Sequence, residues 1–332
     1  AFEAVMAQDH DQLLVDAEHA LHQGRYDDVE LLLQPVTDSQ ANLLRGRADI
    51  ARGRYVRAEE WLSAAVAVTP GGDAALKLGL LQAYLGRREE AIRTLTFVLD
   101  QTIDPTNIND LSRAGLAARA LGQFEHANSL FRDANTLAPS NVTNNTAWGE
   151  LFFEKFNQEE AGKSFRAALA TDVSWVPAHV GLARTMTESN PPVARDIVTK
   201  ALAINPYSVP ALLVLAELEL NDDRQVEAFT IIQRALKVNP NSLEALSLQA
   251  SIHYVQGRIT RFDQITKNIF TINPLFGDVY RITGKHAARN YRFDEAVVLT
   301  RRALEIDSTI PQAWSELGMH LLRIGNEGDA RN

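Results

Sequence analysis

Small hydrophobic residues recur along the chain at a fixed interval, and this pattern is its most informative feature. Successive members of one alanine column lie 33 to 36 residues apart. A constant period of this length is the signature of stacked supersecondary units. The column contains Ala58, Ala91, Ala127, Ala161, Ala194, Ala228, Ala296 and Ala330, with Phe262 in the remaining place.

Two further columns of small residues share this period, and glycines stand between them where a chain could turn. Close contact between two helices requires small residues at the crossing point, and glycine accepts the left-handed backbone that ends many helices. Each period therefore predicts two short amphipathic helices joined by a tight turn. The second column is Gly46, Gly79, Gly115, Gly149, Gly181, Ala216, Ala250, Gly284 and Gly318; the third is Ala65, Ala134, Ala168, Ala201, Ala235 and Ala303; the turn glycines are Gly24, Gly53, Gly86, Gly122, Gly257 and Gly325.

These columns resemble those of the tetratricopeptide repeat family, most fully between Pro311 and Asn332. The resemblance implies an all-α, right-handed superhelical solenoid of about ten antiparallel helix-turn-helix repeats. It covers nearly the whole chain, but the repeated residues serve packing and identify no ligand. The residues that carry the resemblance in that stretch are Trp314, Leu317, Gly318, Leu321, Gly325 and Ala330.

The repeats predict a single solenoid over residues 1–332. Residues 1–38 form a divergent first repeat, residues 39–310 hold about eight repeats, and residues 311–332 begin a final repeat that stops within its second helix. An end repeat without its neighbour exposes an apolar face. We therefore expect the natural protein to continue beyond residue 332.

Composition and charge exclude several classes of function. The net charge is −9, which opposes binding to the phosphate backbone of nucleic acids. The absence of cysteine excludes disulfides and thiolate chemistry. No apolar run approaches the roughly 18 to 20 residues of a membrane helix, so we expect no membrane insertion.

No catalytic or cofactor motif is present in the sequence. The HExxH zinc motif, the Gly-x-Ser-x-Gly nucleophile elbow and the phosphate-binding loop are all missing. His19 and His22 share a helix face, but two histidines three residues apart are a common coincidence. We therefore predict no catalysis, no metal and no cofactor.

In the family that this chain resembles, first helices line a concave groove that holds a peptide. Repeats three and four then place Leu76, Leu80, Tyr84 and Leu116 at the groove, with Arg119 nearby. An apolar strip of this kind is able to receive a helix or an extended peptide. The alternative is that some of these residues pack against neighbouring helices.

Further along, Glu150, Phe153 and Glu154 predict an acidic, aromatic section of the groove, and Tyr254 adds another ring. Chaperone-binding members of the family carry a two-carboxylate clamp, with lysine three residues before the small column and asparagine directly after it. This chain has neither residue at those positions around Gly46, Gly79, Gly115, Gly149 or Ala250. Binding of chaperone tails is therefore not expected.

Residues 256–302 contain nine basic and four acidic residues, and so differ in charge from the rest of this acidic chain. Arg281, Lys285 and Arg289 are spaced to share one helix face, which by repeat phase belongs to the groove. Such a cluster suits an acidic peptide. The alternative is a solvated face that acids from adjacent repeats neutralise.

The sequence favours a scaffold that binds a protein or peptide partner in its groove. A second hypothesis makes the array the regulatory or substrate-presenting part of a larger bacterial enzyme, with a zinc-peptidase-like domain beyond residue 332. A third is self-association through the open C-terminal end. The cellular compartment does not follow from the sequence.

Overall fold

The computed structural model describes residues 2–330, with their side chains from His10 onward. This range contains 20 α-helices and no strand, so the predicted all-α stack of about ten helical hairpins is confirmed. Ala1, Arg331 and Asn332, which belong to the predicted first and last repeats, lie outside the described residues. The helices are α1 (Phe2–His22), α2 (Tyr26–Leu33), α3 (Ser39–Ala51), α4 (Tyr55–Val68), α5 (Asp73–Tyr84), α6 (Arg88–Leu99), α7 (Ile108–Ala120), α8 (Phe124–Leu137), α9 (Val142–Glu154), α10 (Gln158–Thr171), α11 (Val176–Met186), α12 (Pro191–Ile204), α13 (Val209–Asn221), α14 (Gln225–Val238), α15 (Leu243–Val255), α16 (Ile259–Ile272), α17 (Asp278–Arg289), α18 (Phe293–Ile306), α19 (Pro311–Arg323) and α20 (Glu327–Ala330).

The chain divides into two compact units. The first unit comprises Ala1–Ala83 and Arg87–Asp222, and the second comprises Tyr84–Gly86 and Asp223–Asn332. Within the first unit, α9 packs against both α7 and α11; within the second, α17 packs against both α15 and α19. First helices of successive hairpins thus contact one another, and most of them bury more side chains than the second helices do. First helices therefore line the inner side of each stack.

The turn inside most hairpins needs one residue in the left-handed region. Glycine supplies it in six hairpins, with φ between 71° and 78°. Phe156, Asp223 and Tyr291 supply it in three others, with φ between 57° and 60°. A side chain in this region costs about 1–2 kcal/mol relative to the right-handed helical conformation. The tight turn is therefore kept even where the sequence does not favour it.

The small residues of the second column accommodate a large side chain from the second helix of the same hairpin. A Cβ atom on Gly46 would lie 2.8 Å from Leu62, and one on Gly115 would lie 2.6 Å from the ring of Phe131. Most of these large residues are fully buried. They form a fourth column with the same period: Leu62, Leu95, Phe131, Phe165, Val198 and Ile232, with the smaller Thr266 and Thr300 in the next two places.

In the eighth hairpin the large and small positions are exchanged. Phe262 replaces the usual alanine, and Thr266 stands in the column of large residues. The Phe262 ring is buried and meets the rings of Tyr254 and Tyr280 edge-on, with centroids 5.1 and 6.0 Å away. The unusual residues of this repeat therefore compensate for each other in the core.

Candidate partner-binding surface

The apolar residues predicted to line the groove lie largely inside the first unit's core. Leu76 is only 3% exposed and belongs to the cluster that contains Leu95. Leu80 and Leu116 are partly buried and pack against that same cluster. These three leucines thus offer little surface to a partner.

Charged side chains occupy the surface of the first helices in the first unit, and several pairs connect one hairpin to the next. Arg47 of α3 donates to Glu18 of α1 at 2.8 Å. Arg113 of α7 lies 3.5 Å from Asp73 of α5 and also bonds Asp110 within its own helix at 2.6 Å. Consecutive first helices are therefore joined by ion pairs across their inner side.

The predicted acidic, aromatic section is the most developed part of this surface. Arg119 of α7 donates two hydrogen bonds to Glu154 of α9, of 3.1 and 2.6 Å. Arg184 of α11 donates to Glu150 at 3.0 Å, and its guanidinium lies 4.2 Å from the centre of the Phe153 ring. Burial lowers the pKa of Arg119, but the hydrogen bond and charge of Glu154 outweigh that effect and raise it.

Arg184 was not among the residues predicted from the sequence, although a signal for it exists. It follows Glu150 by 34 residues, and Glu154 follows Arg119 by 35. Both intervals equal one repeat, so residues of opposite charge at this spacing meet on adjacent hairpins. A search for opposite charges one period apart would have found these pairs.

Lys77 of α5 is a second member of this surface that the sequence did not indicate. Burial lowers the pKa of its amine to about 8; the charge of Arg47 lowers it further, and Asp73 opposes the shift. Among residues 10–330, no side chain forms an ion pair with Lys77. It is therefore a partly buried cation with unused hydrogen-bonding capacity. We call the surface formed by Glu18, Arg47, Asp73, Lys77, Arg113, Arg119, Glu150, Phe153, Glu154 and Arg184 the first-helix face.

The basic cluster of the second unit is partly neutralised. Arg281 bonds Asp278 and donates to Glu316 of α19 at 3.0 Å. Burial raises the pKa of Glu316, while Arg281 and Lys285 oppose this shift, so both cations act on that carboxylate. Arg289 is exposed at the end of α17. The three basic residues thus do not form an uncompensated positive site.

The two tyrosines predicted to line the groove are both engaged within the second unit. The Tyr84 hydroxyl accepts a hydrogen bond from the Leu243 amide at 2.9 Å and donates to Glu244 at 3.1 Å. Tyr254 donates to Glu295 at 2.7 Å, and burial, followed by that carboxylate, raises the pKa of Tyr254 to about 12. Their hydroxyl groups are therefore already used in hydrogen bonds within the second unit.

Comparison with solved structures identifies the architecture. A chain of the APC/C hetero-tetramer Cut9–Hcn1 aligns with a TM-score of 0.59 at 12% identity, over 89% of this chain and 58% of that chain. A tetratricopeptide repeat protein from Parabacteroides merdae aligns with a TM-score of 0.51 at 18% identity, over 85% of this chain and 98% of that one. The chain has the tetratricopeptide-repeat fold.

A third solved structure aligns less closely, and the comparisons of sequence find no match. PilF from Pseudomonas aeruginosa aligns with a TM-score of 0.46 at 16% identity, over 64% of this chain and 96% of that one. No family model matches the chain, and no curated protein matches it. The chain spans 58% of the length of the matched Cut9–Hcn1 chain.

The first-helix face presents guanidinium and carboxylate groups, which are able to form charge-assisted hydrogen bonds with polar groups of another molecule. Throughout residues 10–330, no group of three or more histidine, aspartate or glutamate side chains is placed to hold a metal ion. The rings of His22 and Trp175 meet edge-on with their centroids 4.8 Å apart, and burial lowers the pKa of His22. None of the helices in residues 2–330 has the length and apolar content that crossing a membrane requires.

Proposed function

We propose that this protein is a non-catalytic scaffold and that its partner binds to the first-helix face of the first unit. The network of Arg119, Glu154, Glu150 and Arg184 is the observation that carries the proposal. Ion pairs at the surface contribute only about 0–1 kcal/mol each. A partner is therefore able to exchange its own charges for those of the face at little net cost.

The chemistry of the face indicates the kind of partner. Its ion pairs suit an extended segment that carries both acidic and basic side chains. Lys77 has no ion-pair partner, so we expect the segment to place a carboxylate beside it. The Cut9–Hcn1 assembly, a hetero-tetramer, provides an example of this fold within a protein complex.

A capture experiment with matched charge reversals tests the proposal. The immobilised chain is exposed to extract of the source cell, and bound proteins are quantified by mass spectrometry. Arg119→Glu reverses a charge on the first-helix face. Arg132→Glu makes the same change on α8 of the same hairpin, at a side chain that is 62% exposed, lies 3.8 Å from the adjacent Asp133 and donates to Ser129.

We expect wild type and Arg132→Glu to retain the same partner and Arg119→Glu to lose it. Circular dichroism of both variants checks that the helices are intact. Equal retention by both variants, or equal loss from both, would show that the first-helix face is not the binding site. Binding should also weaken as the salt concentration rises from about 50 to about 200 mM, because charges carry the recognition.

A second candidate function, self-association, is favoured by apolar side chains on α19. Trp314, Met319 and Leu322 are each more than half exposed, and exposed apolar groups of this kind mark interaction sites when they cluster. The mass measured by light scattering should then rise with concentration and stay constant for Leu322→Glu. The hypothesis of a larger enzyme remains a prediction, which a longer native sequence with a zinc motif would support.

A further inference from the structure

The loop that follows α12 contacts a turn of the first unit that is distant in sequence. The Asn205 side chain accepts a hydrogen bond from the Tyr207 amide at 3.0 Å and donates one to the His22 carbonyl at 3.2 Å. Gly24, in the turn between α1 and α2, has φ +76°, and a Cβ atom there would lie 2.8 Å from the Asn205 side-chain carbon and overlap its oxygen. The first hairpin is thus docked onto the sixth.

The second unit contains the same arrangement, built from different residues. Asn273, in the loop after α16, accepts from the Leu275 amide at 2.8 Å and donates to the Tyr84 carbonyl at 2.9 Å. Gly86 has φ +76°, and its Cβ would lie 2.9 Å from the Asn273 side-chain carbon. The docked turn of the first unit belongs to a hairpin five hairpins earlier in the chain than the loop that contacts it.

Asparagine stands at this repeat position three times, at Asn205, Asn239 and Asn273, and Asn239 likewise accepts the amide hydrogen bond two residues onward, from Asn241 at 3.0 Å. Asp172 and Asp307 occupy the equivalent repeat position, and each accepts the amide hydrogen bond two residues onward, from Ser174 at 2.8 Å and Thr309 at 2.9 Å. A carboxylate therefore suffices for the local turn. An asparagine side chain, unlike a carboxylate, accepts this bond and also donates to a carbonyl on another hairpin.

Additional contacts support docking in the first unit. Burial raises the pKa of Tyr26, which begins α2, and the nearby Asn205 side chain opposes this shift. The His22 ring contacts Trp175, whose indole N–H donates to Thr146 at 3.0 Å. The first hairpin thus meets both the loop before α11 and the loop after α12.

We propose that the Asn–Pro loops after α12 and α16 are docking sites for the chain's own glycine turns, and that docking at Asn205 closes the stack formed by the first six hairpins. Because first helices line the inner side of that stack, closure restricts access to the first-helix face. A partner then reaches the face as an extended segment or after the docked turn is released. The docking itself does not depend on the proposed binding function.

The variant Asn205→Asp tests the docking selectively. It keeps the acceptor for the Tyr207 amide, as Asp172 shows, but it removes the donor and places a carboxylate against the His22 carbonyl. We expect amide hydrogen exchange in residues 10–33 to accelerate about tenfold, because the hairpin loses its long-range contacts. Exchange in α7 and α8 should not change.

A pair of glycine variants separates docking from backbone strain. Gly24→Ala and Gly122→Ala both place a side chain at a positive φ, but a Cβ on Gly122 meets no atom within 4 Å. We expect Gly24→Ala to reproduce the exchange of Asn205→Asp across residues 10–33. Gly122→Ala should leave that segment protected.

Distances supply a second readout that does not depend on folding stability. The chain has no cysteine, so spin labels attach only to introduced cysteines, at Leu31 and Val173, which are 64% and 74% exposed. We expect the label distance to be narrowly distributed in the labelled wild type and to lengthen in Asn205→Asp. An unchanged distance together with unchanged exchange would overturn the proposal, as would equal effects of Gly24→Ala and Gly122→Ala.

The second docking site has its own matched test. Asn273→Asp and Gly86→Ala should each raise hydrogen exchange around residues 84–86 and at the start of α15. Gly257→Ala is the control, because a Cβ there also meets no atom within 4 Å. If Asn273→Asp leaves exchange in these segments unchanged, the second loop is not a docking site.

Discussion

Gly181 offers the sharpest test of how the hairpins pack. It lies on α11 against Phe165, a fully buried ring from α10. A Cβ atom at Gly181 would overlap two carbons of that ring and lie 2.8 Å from a third. On the opposite side, a Cβ at Gly149 of α9 would lie 2.7 Å from the same ring. The ring is therefore held between two first helices and has little room to move.

Two opposing effects set the expected size of Gly181→Ala. Alanine in the middle of a helix is favoured over glycine by about 0.5–1 kcal/mol. Overpacking a closely packed core costs about 1–3 kcal/mol. We expect the overlap with Phe165 to dominate and to lower the free energy of unfolding by about 1–2 kcal/mol.

Gly162→Ala is the matched control for helix propensity. Gly162 is also buried within a helix, α10, but its nearest neighbour is the flexible end of the Arg166 side chain, 3.4 Å from a Cβ. We therefore expect this variant to be more stable than wild type by about 0.5–1 kcal/mol. The two alanine substitutions should thus have opposite signs.

Urea unfolding followed by circular dichroism measures both variants, and Phe165→Leu tests the cause. A smaller side chain at Phe165 makes room for the methyl group that Gly181→Ala introduces. The double variant should therefore be more stable than the sum of the single changes predicts, by at least about 0.5 kcal/mol. If Gly181→Ala is as stabilising as Gly162→Ala, or if the two changes are additive, the ring does not dictate glycine at this position.

Two further predictions concern the second unit. Burial, with contributions from three nearby cations, lowers the pKa of His286 to about 3 from 6.5, so the folded state resists its protonation and loses stability as pH falls from 6.5 towards 3. At pH 5 this loss of stability amounts to about 2 kcal/mol. Urea unfolding of wild type and His286→Asn at pH 7 and pH 5 measures the loss, which should be smaller in the variant. Phe262→Ala should cost about 3–5 kcal/mol, and adding Thr266→Leu should recover at least about 1 kcal/mol because it restores the large residue that the second to seventh repeats have at this position. Additive changes in urea unfolding would contradict the exchange of large and small positions.

The sequence determined the hairpins and their turns because these depend on neighbours within one repeat. Small residues at a fixed interval predicted paired helices, and the glycine positions predicted most of the turns. The period also carried the charges that meet on adjacent hairpins, as Arg119 and Glu154 show. Local periodicity thus contains most of what successive repeats need in order to stack.

Tertiary packing decided which of the predicted partner-binding residues are exposed and which of their charges are neutralised. Repeat phase placed Leu76 at the groove, but the packing of α5 against its neighbours buries this side chain. Repeat phase also placed Arg281 and Lys285 together, yet α19 brings the Glu316 carboxylate to them. Burial and charge balance both depend on side chains from adjacent hairpins, which the phase of one repeat does not include.

Only the tertiary structure reveals the contact between Asn205 and the turn at Gly24. These residues are 181 positions apart, and nothing in either segment alone indicates the other. Their meeting depends on small rotations between successive hairpins that accumulate along the stack. The sequence by itself specified each hairpin and its nearest neighbours, whereas the summed curvature of six hairpins decided which distant turns meet.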